Sequence, residues 1–585
     1  MKVLCVIPAR GGSKGIPGKN LRHVGGASLV GRAVFTAREF ARLASLTDAV
    51  VLVDTDSPDV AREALAWGAS VPFLRPADLA RDETSTVDST VGLLERLRSS
   101  GQQFDALVLL QPTSPLRTAE DVMSCWTVFL RHGATRPVTS IAAEDHPSDL
   151  ALALGRDGSI SWLRRGGDGP LRRQDQTSAY RLTGAVYITT PSSLQADRAF
   201  VVPDRTAGVE LPAQRSVDID RPEDLTAADG LAAAARTHAV RFAQVVIGSG
   251  ERCFIIAEAG VNHNGDPKLA HRLIDVALEA GADAVKFQIF EPGALVSDSA
   301  PKARYQLATT APEQSQREML DALTLPLPVF RELTRHAADS GILFLATPFD
   351  DHSADFLDEL GCPALKVSSG EVTNHRFLAK LAKKGKPLLL STGMSTMAEV
   401  SAAVSVVRNN GNPPLALFHC VTNYPAAAAD CNLAAMRSMR SMFGVPVGWS
   451  DHTEGLAVTV AAVALGAEMV EKHFTLDRSL PGPDHAASLD PGELRALITA
   501  VREAEVSRGS GVKAPAASEL PNLEVVRRSM HAARELPAGH SLAPADLVAL
   551  RPGGGVSPAD EWKILGRPLR RALRAGERLE EADVG

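Results

Sequence analysis

Cysteine is scarce in this chain. Its 585 residues hold six, Cys5, Cys125, Cys253, Cys362, Cys420 and Cys431, scattered and without a Cys-x-x-Cys pair. That usage excludes a disulfide scaffold and a zinc module, and it implies a reduced, cytoplasmic protein. Charge of one sign is lacking too. Sixty-two basic against 69 acidic residues leave −7, so neither a nucleic-acid-binding surface nor an acidic tail is indicated. No long hydrophobic run is present. MKVLCVIPARGG has no apolar core of signal-peptide length before Arg10. The most apolar stretch, Leu456 to Val470, is interrupted by Thr459, Gly466 and Glu468 and is too short to span a bilayer. It reads as a buried helix, and no membrane association is expected.

What is present is ordinary globular composition, 45% hydrophobic and 22% charged. At roughly 100–200 residues per domain the length implies about three to five domains. One core is excluded, because cores stop growing near roughly 250–300 residues. The first part alternates short β-rich runs with helical patterns. KVLCVIPAR, AVVLVDTD and ALVLLQPTS are buried strands that end in polar residues, and DVAREALAWGA has helical periodicity. This predicts an α/β domain over 1–236 with a largely parallel sheet. Such sheets place ligands at the strand carboxyl ends, where the Gly-rich loop, Asp54, Asp56 and Gln111 fall.

Over 245–508, eight strand candidates alternate with helices: FIIAE, AVKFQ, ILFLAT, ALKVSSGE, PLLLSTG, LALFHC, PVGWSDH and EMVEKHF. Eight units in about 250 residues is the rhythm of a (β/α)8 TIM barrel, whose active site lies at the strand carboxyl ends. Each strand ends in a chemically able group: Glu258, Lys286, Thr347, Lys366 with Glu371, Ser391, His419, Asp451 with His452, and His473. Ser507–Asn522, rich in Ser, Gly, Ala and Pro, reads as a partly extended linker. A small β-rich module is expected over 520–585.

Two constellations carry chemistry. PARGGSKGIPGKN (Pro8–Asn20) packs four glycines and three cations into a strand-to-helix loop. Glycines let backbone N–H groups approach a phosphate that Lys and Arg neutralise; the alternative is a plain basic turn. It is not a Walker A loop, because Asn20 follows Gly18-Lys19. In VDIDRPEDL, Asp218 and Asp220 at i and i+2 share one face if the segment is a strand. They can then meet one Mg²⁺ together with substrate phosphates. In the barrel, His452 and His473 end adjacent predicted strands and suit Mn²⁺ or another divalent metal with open positions. Glu258 and Glu371 are expected nearby. Lys286 and Lys366 face one cavity and call for an anion; a Schiff-base role for Lys286 is the alternative.

IPARGGSKGIPGKNL, LLQPTSPLR, YRLTGAVYI and SVDIDRPEDL, in this order, resemble the bacterial N-acylneuraminate cytidylyltransferases, also called CMP-sialic acid synthetases. The resemblance implies a Rossmann-like nucleotidyltransferase using CTP and Mg²⁺. Arg10, Ser13, Lys14, Lys19 and Asn20 would hold the triphosphate, Gln111 the nucleotide, Arg173 the sugar-acid carboxylate, and Asp218 and Asp220 the Mg²⁺. The anomeric hydroxyl would attack the α-phosphorus of CTP and pyrophosphate would leave. Two positions depart from the family pattern: DTDS puts Asp54 where a serine is usual, and Thr183-Gly184 replaces the usual Asn-Gly.

IIAEAGVNHNGD, AVKFQ, ATPFD, LKVSSGE, STGM, WSDHT, EKHFT and GPDH resemble the N-acetylneuraminate (sialic acid) synthases, a group that includes legionaminic- and pseudaminic-type synthases. VRRSM…AGHSLAPADLVALRPGGG…ILGRPLRRAL…AGERLEEADV resembles their appended antifreeze-like SAF domain. The resemblance implies condensation of phosphoenolpyruvate (PEP) with an N-acylmannosamine-type sugar to a nine-carbon 2-keto acid, with loss of phosphate. Lys286, Thr347, Lys366, Ser369 and Ser391 would grip PEP. Glu258 would deprotonate or orient water, and Glu371 would handle protons nearby. Asn423 and Tyr424, in a VTNYP segment that departs slightly from relatives, would contact substrate with Asp451 and Asp484. Arg551 would reach the acyl-sugar in a partner barrel of a homodimer; without the family it reads as a surface arginine. The sequence leaves open which sugar is used, and whether one half is only a scaffold.

Overall fold

The computed structural model describes the chain except residues 13–14, 82, 145–151, 155–159, 163–179, 235–236, 249, 304–305, 308–309, 311–312 and 510; at 152–154 and 160–162 it describes the backbone alone. The chain divides into two compact units, 1–507 and 508–585. Among the described residues no helix is long and apolar enough to cross a membrane.

The first part of the larger unit is a six-stranded Rossmann-like sheet. Its strands are β1 (Val3–Pro8), β2 (Val50–Asp54), β3 (Ala106–Leu109), β4 (Val138–Ala143), β5 (Tyr180–Thr189) and β6 (Ala207–Glu210), in the order β6-β4-β5-β3-β1-β2. β5 runs antiparallel to both neighbours and the remaining pairs are parallel. β1 is an unbroken apolar run because both faces are covered. Val3, Cys5 and Ile7 pack with Val34 and Phe40 of helix α1 (Leu29–Leu43), whereas Leu4 and Val6 pack with Leu93 and Leu97 on the other side. Ser28 caps α1, its Oγ accepting from the Gly31 N–H at 3.0 Å. Helix α2 (Pro222–Ala233) follows Asp220. The strand expected for 217–220 does not form. That segment is irregular, and the Ile219 N–H donates to the Thr113 carbonyl at 2.8 Å.

Eight parallel strands then close into a TIM barrel: β7 (Phe254–Gly260), β8 (Ala284–Ile289), β9 (Leu343–Pro348), β10 (Leu365–Val367), β11 (Leu388–Ser391), β12 (Leu415–Cys420), β13 (Val447–Asp451) and β14 (Met469–His473). Two of its outer helices matter below, α3 (Met397–Asn409) and α4 (Ala435–Phe443). The barrel part starts earlier than 245. A hairpin of Val240–Phe242 and Val245–Ile247 seats Val240, Phe242 and Ile247 among the inward Phe254, Ile256, Leu345, Leu389, Phe418 and Met469. These apolar side chains fill the amino-terminal end of the barrel, and the opposite end is left for chemistry.

The smaller unit pairs β15 (Ser529–Ala532) with β16 (Leu547–Leu550) over a core that includes Met530, Leu536, Leu569 and Leu579. The segment read as an extended linker contains a short helix, Leu520–Val526, with Pro521 in its first turn. A proline there lacks only an N–H that has no partner in a helix anyway, so this proline opens a helix.

Candidate active sites

Strand alternation builds the barrel site. Successive residues point to opposite faces, so β7 sends Phe254, Ile256 and Glu258 inward, and β14 sends Met469, Glu471 and His473. The apolar members fill the lower layers and the polar ones emerge at the carboxyl end. There Glu258, Lys286, Thr347, Lys366, Ser369, Ser391, Tyr424, His452 and His473 line one cavity.

Charge is concentrated in it. Lys286 Nζ lies 2.6 Å from Glu258 Oε2, donates to Thr347 Oγ1 at 2.9 Å and lies 3.6 Å from Glu471 Oε2. Lys366 Nζ donates to Ser391 Oγ at 2.7 Å and lies 3.4 Å from Glu471 Oε1. The two carboxylates are driven apart. Burial pushes Glu258 up to about 7 against the pull of Lys286. Burial also opposes ionisation of Glu471, but Lys286 and Lys366 outweigh it and hold that group down at about 2. Burial lowers Lys366, while the adjacent carboxylates overcome burial at Lys286 and raise it. The site therefore holds two lysines, one carboxylate held firmly ionised and one carboxyl poised to exchange a proton near neutral pH.

The two imidazoles meet as expected, their ring centroids 5.6 Å apart. Tyr424 lies over His452 at 4.1 Å and edge-on to His473 at 5.7 Å. The 2.7 Å contact between His452 Nδ1 and the Val421 carbonyl assigns the proton to Nδ1 and leaves the Nε2 lone pair. His473 Nδ1 is buried without a hydrogen-bond partner. Burial lowers His452 to about 4 and keeps His473 well below its ordinary value, so both stay neutral and basic in the ligand sense. That donor set fits a divalent cation whose other positions go to water or substrate oxygens. Among the described residues no three His, Cys, Asp or Glu converge as a complete metal cage. Asp484 is buried with its carboxylate 3.9 Å from His473 Nδ1, and burial raises it to about 6.

Asp451, Glu371, Asn423 and Asp484, all expected at the site, are not among the residues lining this cavity. Asp451 is the neighbour of Ser450 and His452, which line it, so alternation turns Asp451 outward. Its carboxylate accepts from Lys472 Nζ at 2.9 Å and from the Thr453 N–H at 2.8 Å. Glu371 sits half-buried in a 3-10 turn, where its Oε2 accepts from Asn374 Nδ2 at 2.7 Å. Asn423 is exposed and donates to the Pro425 carbonyl at 2.9 Å. His419 also faces away, with Nε2 2.8 Å from the Cys431 carbonyl. Lining residues that escaped the sequence reading include Gln288, Cys420, Ser450 and Glu471. Three are two residues from recognised ones (Lys286, His452, His473), so the period of two carried the signal.

At the sheet, the nucleotide loop is pinned from several sides. Asn20, buried, donates through Nδ2 to the Arg10 carbonyl at 2.9 Å, and the Gly11 N–H donates to Asp56 Oδ1 at 2.7 Å. Lys19 Nζ donates to the Ile219 carbonyl at 2.7 Å and lies 3.3 Å from Asp220 Oδ1. This joins the loop to the aspartate segment despite the missing strand. Asp218 is half-buried, its Oδ1 has no hydrogen-bond partner, and burial raises its pKa. An orphaned carboxylate oxygen beside an exposed Asp220 fits a Mg²⁺ ligand pair. Gln111 packs against Gly184, where φ is +71 and a Cβ would come within 2.5 Å of Gln111 Oε1. The departures from the family pattern are internal. Asp54 is buried in an ion pair with Arg75 at 2.8 Å, and Thr183 Oγ1 lies 2.6 Å from Ser140 Oγ. Ser13, Lys14 and Arg173 lie outside the described residues. In the smaller unit Arg551 is exposed.

Comparison with known proteins gives three family matches along the chain: Cytidylyltransferase over 4–124, NeuB family over 273–513 and SAF domain over 527–585. An N,N'-diacetyllegionaminic acid synthase of Legionella pneumophila is 48% identical over 337 residues, 57% of this chain and 94% of that protein. One of Campylobacter jejuni is 44% identical over 333 residues, 57% of this chain and 100% of that protein. The human N-acetylneuraminate-9-phosphate synthase is 36% identical over 338 residues, 57% of this chain and 93% of that protein.

Proposed function

The chain belongs to the NeuB family, fused at its amino-terminal side to a cytidylyltransferase and followed by a SAF domain, and from that premise we propose that it both makes and activates one nonulosonic acid. The barrel condenses PEP with a six-carbon N-acylmannosamine-type aldose, and the sheet domain transfers CMP from CTP to the product. The two synthases of highest identity above act on the diacetylated legionaminic series, which favours a diacetamido sugar over N-acetylmannosamine.

The observation that carries the synthase reading is the pair of buried lysines facing Glu258 and Glu471. Two buried lysines facing one cavity suit an anion with a phosphate and a carboxylate. Thr347, Ser369 and Ser391 add hydroxyl donors at the same depth. PEP then displaces the lysines' present partners, and its methylene carbon forms a bond to the sugar's aldehyde carbon. Glu258, near half-ionised at neutral pH, takes the proton from water adding to the former enol carbon. Phosphate leaves with its bridging oxygen, and the 2-keto acid remains. Tyr424 and Asp484 flank the imidazoles where the sugar enters. His452 and His473 would hold a divalent cation, which would supply Lewis-acid polarisation at the sugar's aldehyde. In the sheet domain Arg10 and Lys19 neutralise the triphosphate, Gln111 meets the nucleotide, and Asp218 with Asp220 would hold Mg²⁺ if it binds there. Positioning and charge stabilisation do the work there.

The test is product analysis by mass after incubation with PEP, CTP and candidate hexosamines. Phosphate release with a diacetamido sugar and CMP transfer to its product support the reading. A scaffold role for either half is the outcome if Lys286→Met or Asp218→Asn leaves every activity unchanged. We also propose a homodimer in which Arg551 serves the partner's barrel. Mixing Arg551→Ala chains with His452→Ala chains then restores part of the synthase activity, and no restoration rules the exchange out.

A further inference from the structure

The sheet domain and the barrel are joined by more than the connecting chain. Glu39 on α1, its side chain 6% exposed, accepts from Arg408 Nη1 on α3 at 2.8 Å. Arg408 Nη2 also donates to the Phe443 carbonyl at the end of α4, at 2.7 Å. Beside them Phe35 meets Phe443 edge to face, with centroids 5.7 Å apart. One apolar cluster runs on from Val34 and Phe40 of the sheet side to Val404 and Phe443 of the barrel side.

A second contact is a knob. The hairpin of His23–Val24 and Ala27–Ser28 turns at Gly25 and Gly26, with φ of +54 and +73, the signature of a primed two-residue turn. Its tip presses on α4. A Cβ on Gly26 would lie 2.2 Å from Ser438 Cβ, and one on Gly25 would lie 2.5 Å from Ser441 Oγ. Glycine is therefore required twice here, by the turn and by the approach. Asp229 of α2 secures the tip, accepting from the Gly25 N–H at 2.8 Å, and lies 3.5 Å from Arg437 of α4. Near the connection the His238 N–H donates to the Gly444 carbonyl at 2.9 Å, and Thr237 Oγ1 donates to Glu468 at 3.1 Å.

We infer that the α3–α4 face of the barrel is a built docking surface for the nucleotide-binding half of the same chain, and that the two catalytic halves unfold as one cooperative unit. The partner is defined by its chemistry: a buried carboxylate for Arg408, an aromatic edge for Phe443 and a side-chain-free turn for Ser438. Glu39 also pairs with Arg42 of its own helix at 3.3 Å, so Arg408 brings a second, nearer cation from the barrel side to a carboxylate buried at the contact. The inference stands whichever sugar the enzyme uses.

The test is calorimetry of the full chain, with hydrogen exchange assigning each transition to its half. Wild type loses the sheet domain and the barrel together. Ser438→Trp, on an outer helix away from both cavities, drives a side chain into Gly26. It splits that transition or lowers it in both halves. Ser438→Ala leaves it unchanged. Glu39→Gln, a milder change that should fold, moves it the same way as Ser438→Trp. Two independent transitions in wild type, or a Ser438→Trp profile equal to that of Ser438→Ala, overturns the inference.

Discussion

Glu471→Gln is the perturbation on which the charge reasoning can be judged. Glu471 lies 3.4 Å from Lys366 and 3.6 Å from Lys286, and Ser450 Oγ donates to its Oε1 at 3.1 Å. Glutamine keeps the size and an acceptor for Ser450, so the change is nearly pure charge. Lys286 retains Glu258, whereas Lys366 loses the carboxylate that holds its charge. Removing one partner of a buried pair costs about 3–5 kcal/mol when the other stays ionised. Lys366, already lowered by burial, can instead release its proton, which reduces that cost. Its folded pKa then lies further below the unfolded value of about 10.5. In that window the unfolded chain binds more protons, so the variant's stability rises with pH. The expected stability loss is thus larger at pH 6 than at pH 9. Urea unfolding followed through the buried Trp449 measures it. In the synthase assay the KM for PEP rises at pH 8 by at least tenfold, about 1.4 kcal/mol, and falls back as pH is lowered and Lys366 regains its proton. A stability loss independent of pH, together with an unchanged KM, would refute the electrostatic account.

Other outcomes follow from the same geometry. Glu258, raised to about 7 by burial, should place the acidic limb of the synthase pH profile near neutrality, and Glu258→Gln should lower kcat about 10²-fold or more without weakening PEP binding. Because that carboxyl binds its proton more tightly folded than unfolded, its contribution to stability is fully present below about 4.5 and is lost as pH rises towards about 7. Asp451→Asn, outside the cavity and opposite Lys472, should cost about 3 kcal/mol in urea unfolding yet leave the KM for PEP unchanged. His473→Ala should reduce retained divalent metal measured by elemental analysis of the dialysed protein, whereas His419→Ala should not. Gly184→Ala, strained at φ +71 and in collision with Gln111, should raise the KM for CTP while phosphate release from PEP persists.

Periodicity carried most of the barrel. Eight strands with a polar residue at each tip were legible because a closed parallel barrel buries apolar runs and exposes chemistry at one end. The period of two, applied consistently, would also have selected Glu471, Ser450 and Gln288 and rejected Asp451, which stands next to an inward histidine. Glu371, read as the end of a strand, lies on a turn beyond it, and Asn423 lies in a loop after β12, where alternation gives no direction. The Asp218–Asp220 segment kept its place beside the nucleotide loop without being a strand, because Lys19 and the Ile219 backbone tie it there. Pro521 misled for a different reason: a proline punctuates a chain equally at a linker and at a helix start.

The residue types, their spacing and their order determined by themselves the three successive folds, because secondary structure and local motifs are properties of neighbours along the chain. The tertiary structure decided which carboxyl is poised and which is held ionised. Glu258 pairs closely with Lys286 alone, whereas Glu471 lies between Lys286 and Lys366 and accepts from Ser450. It also decided that Gly25 and Gly26 serve a surface more than four hundred residues away in the chain, since contact between remote segments depends on shape and burial that no local pattern encodes.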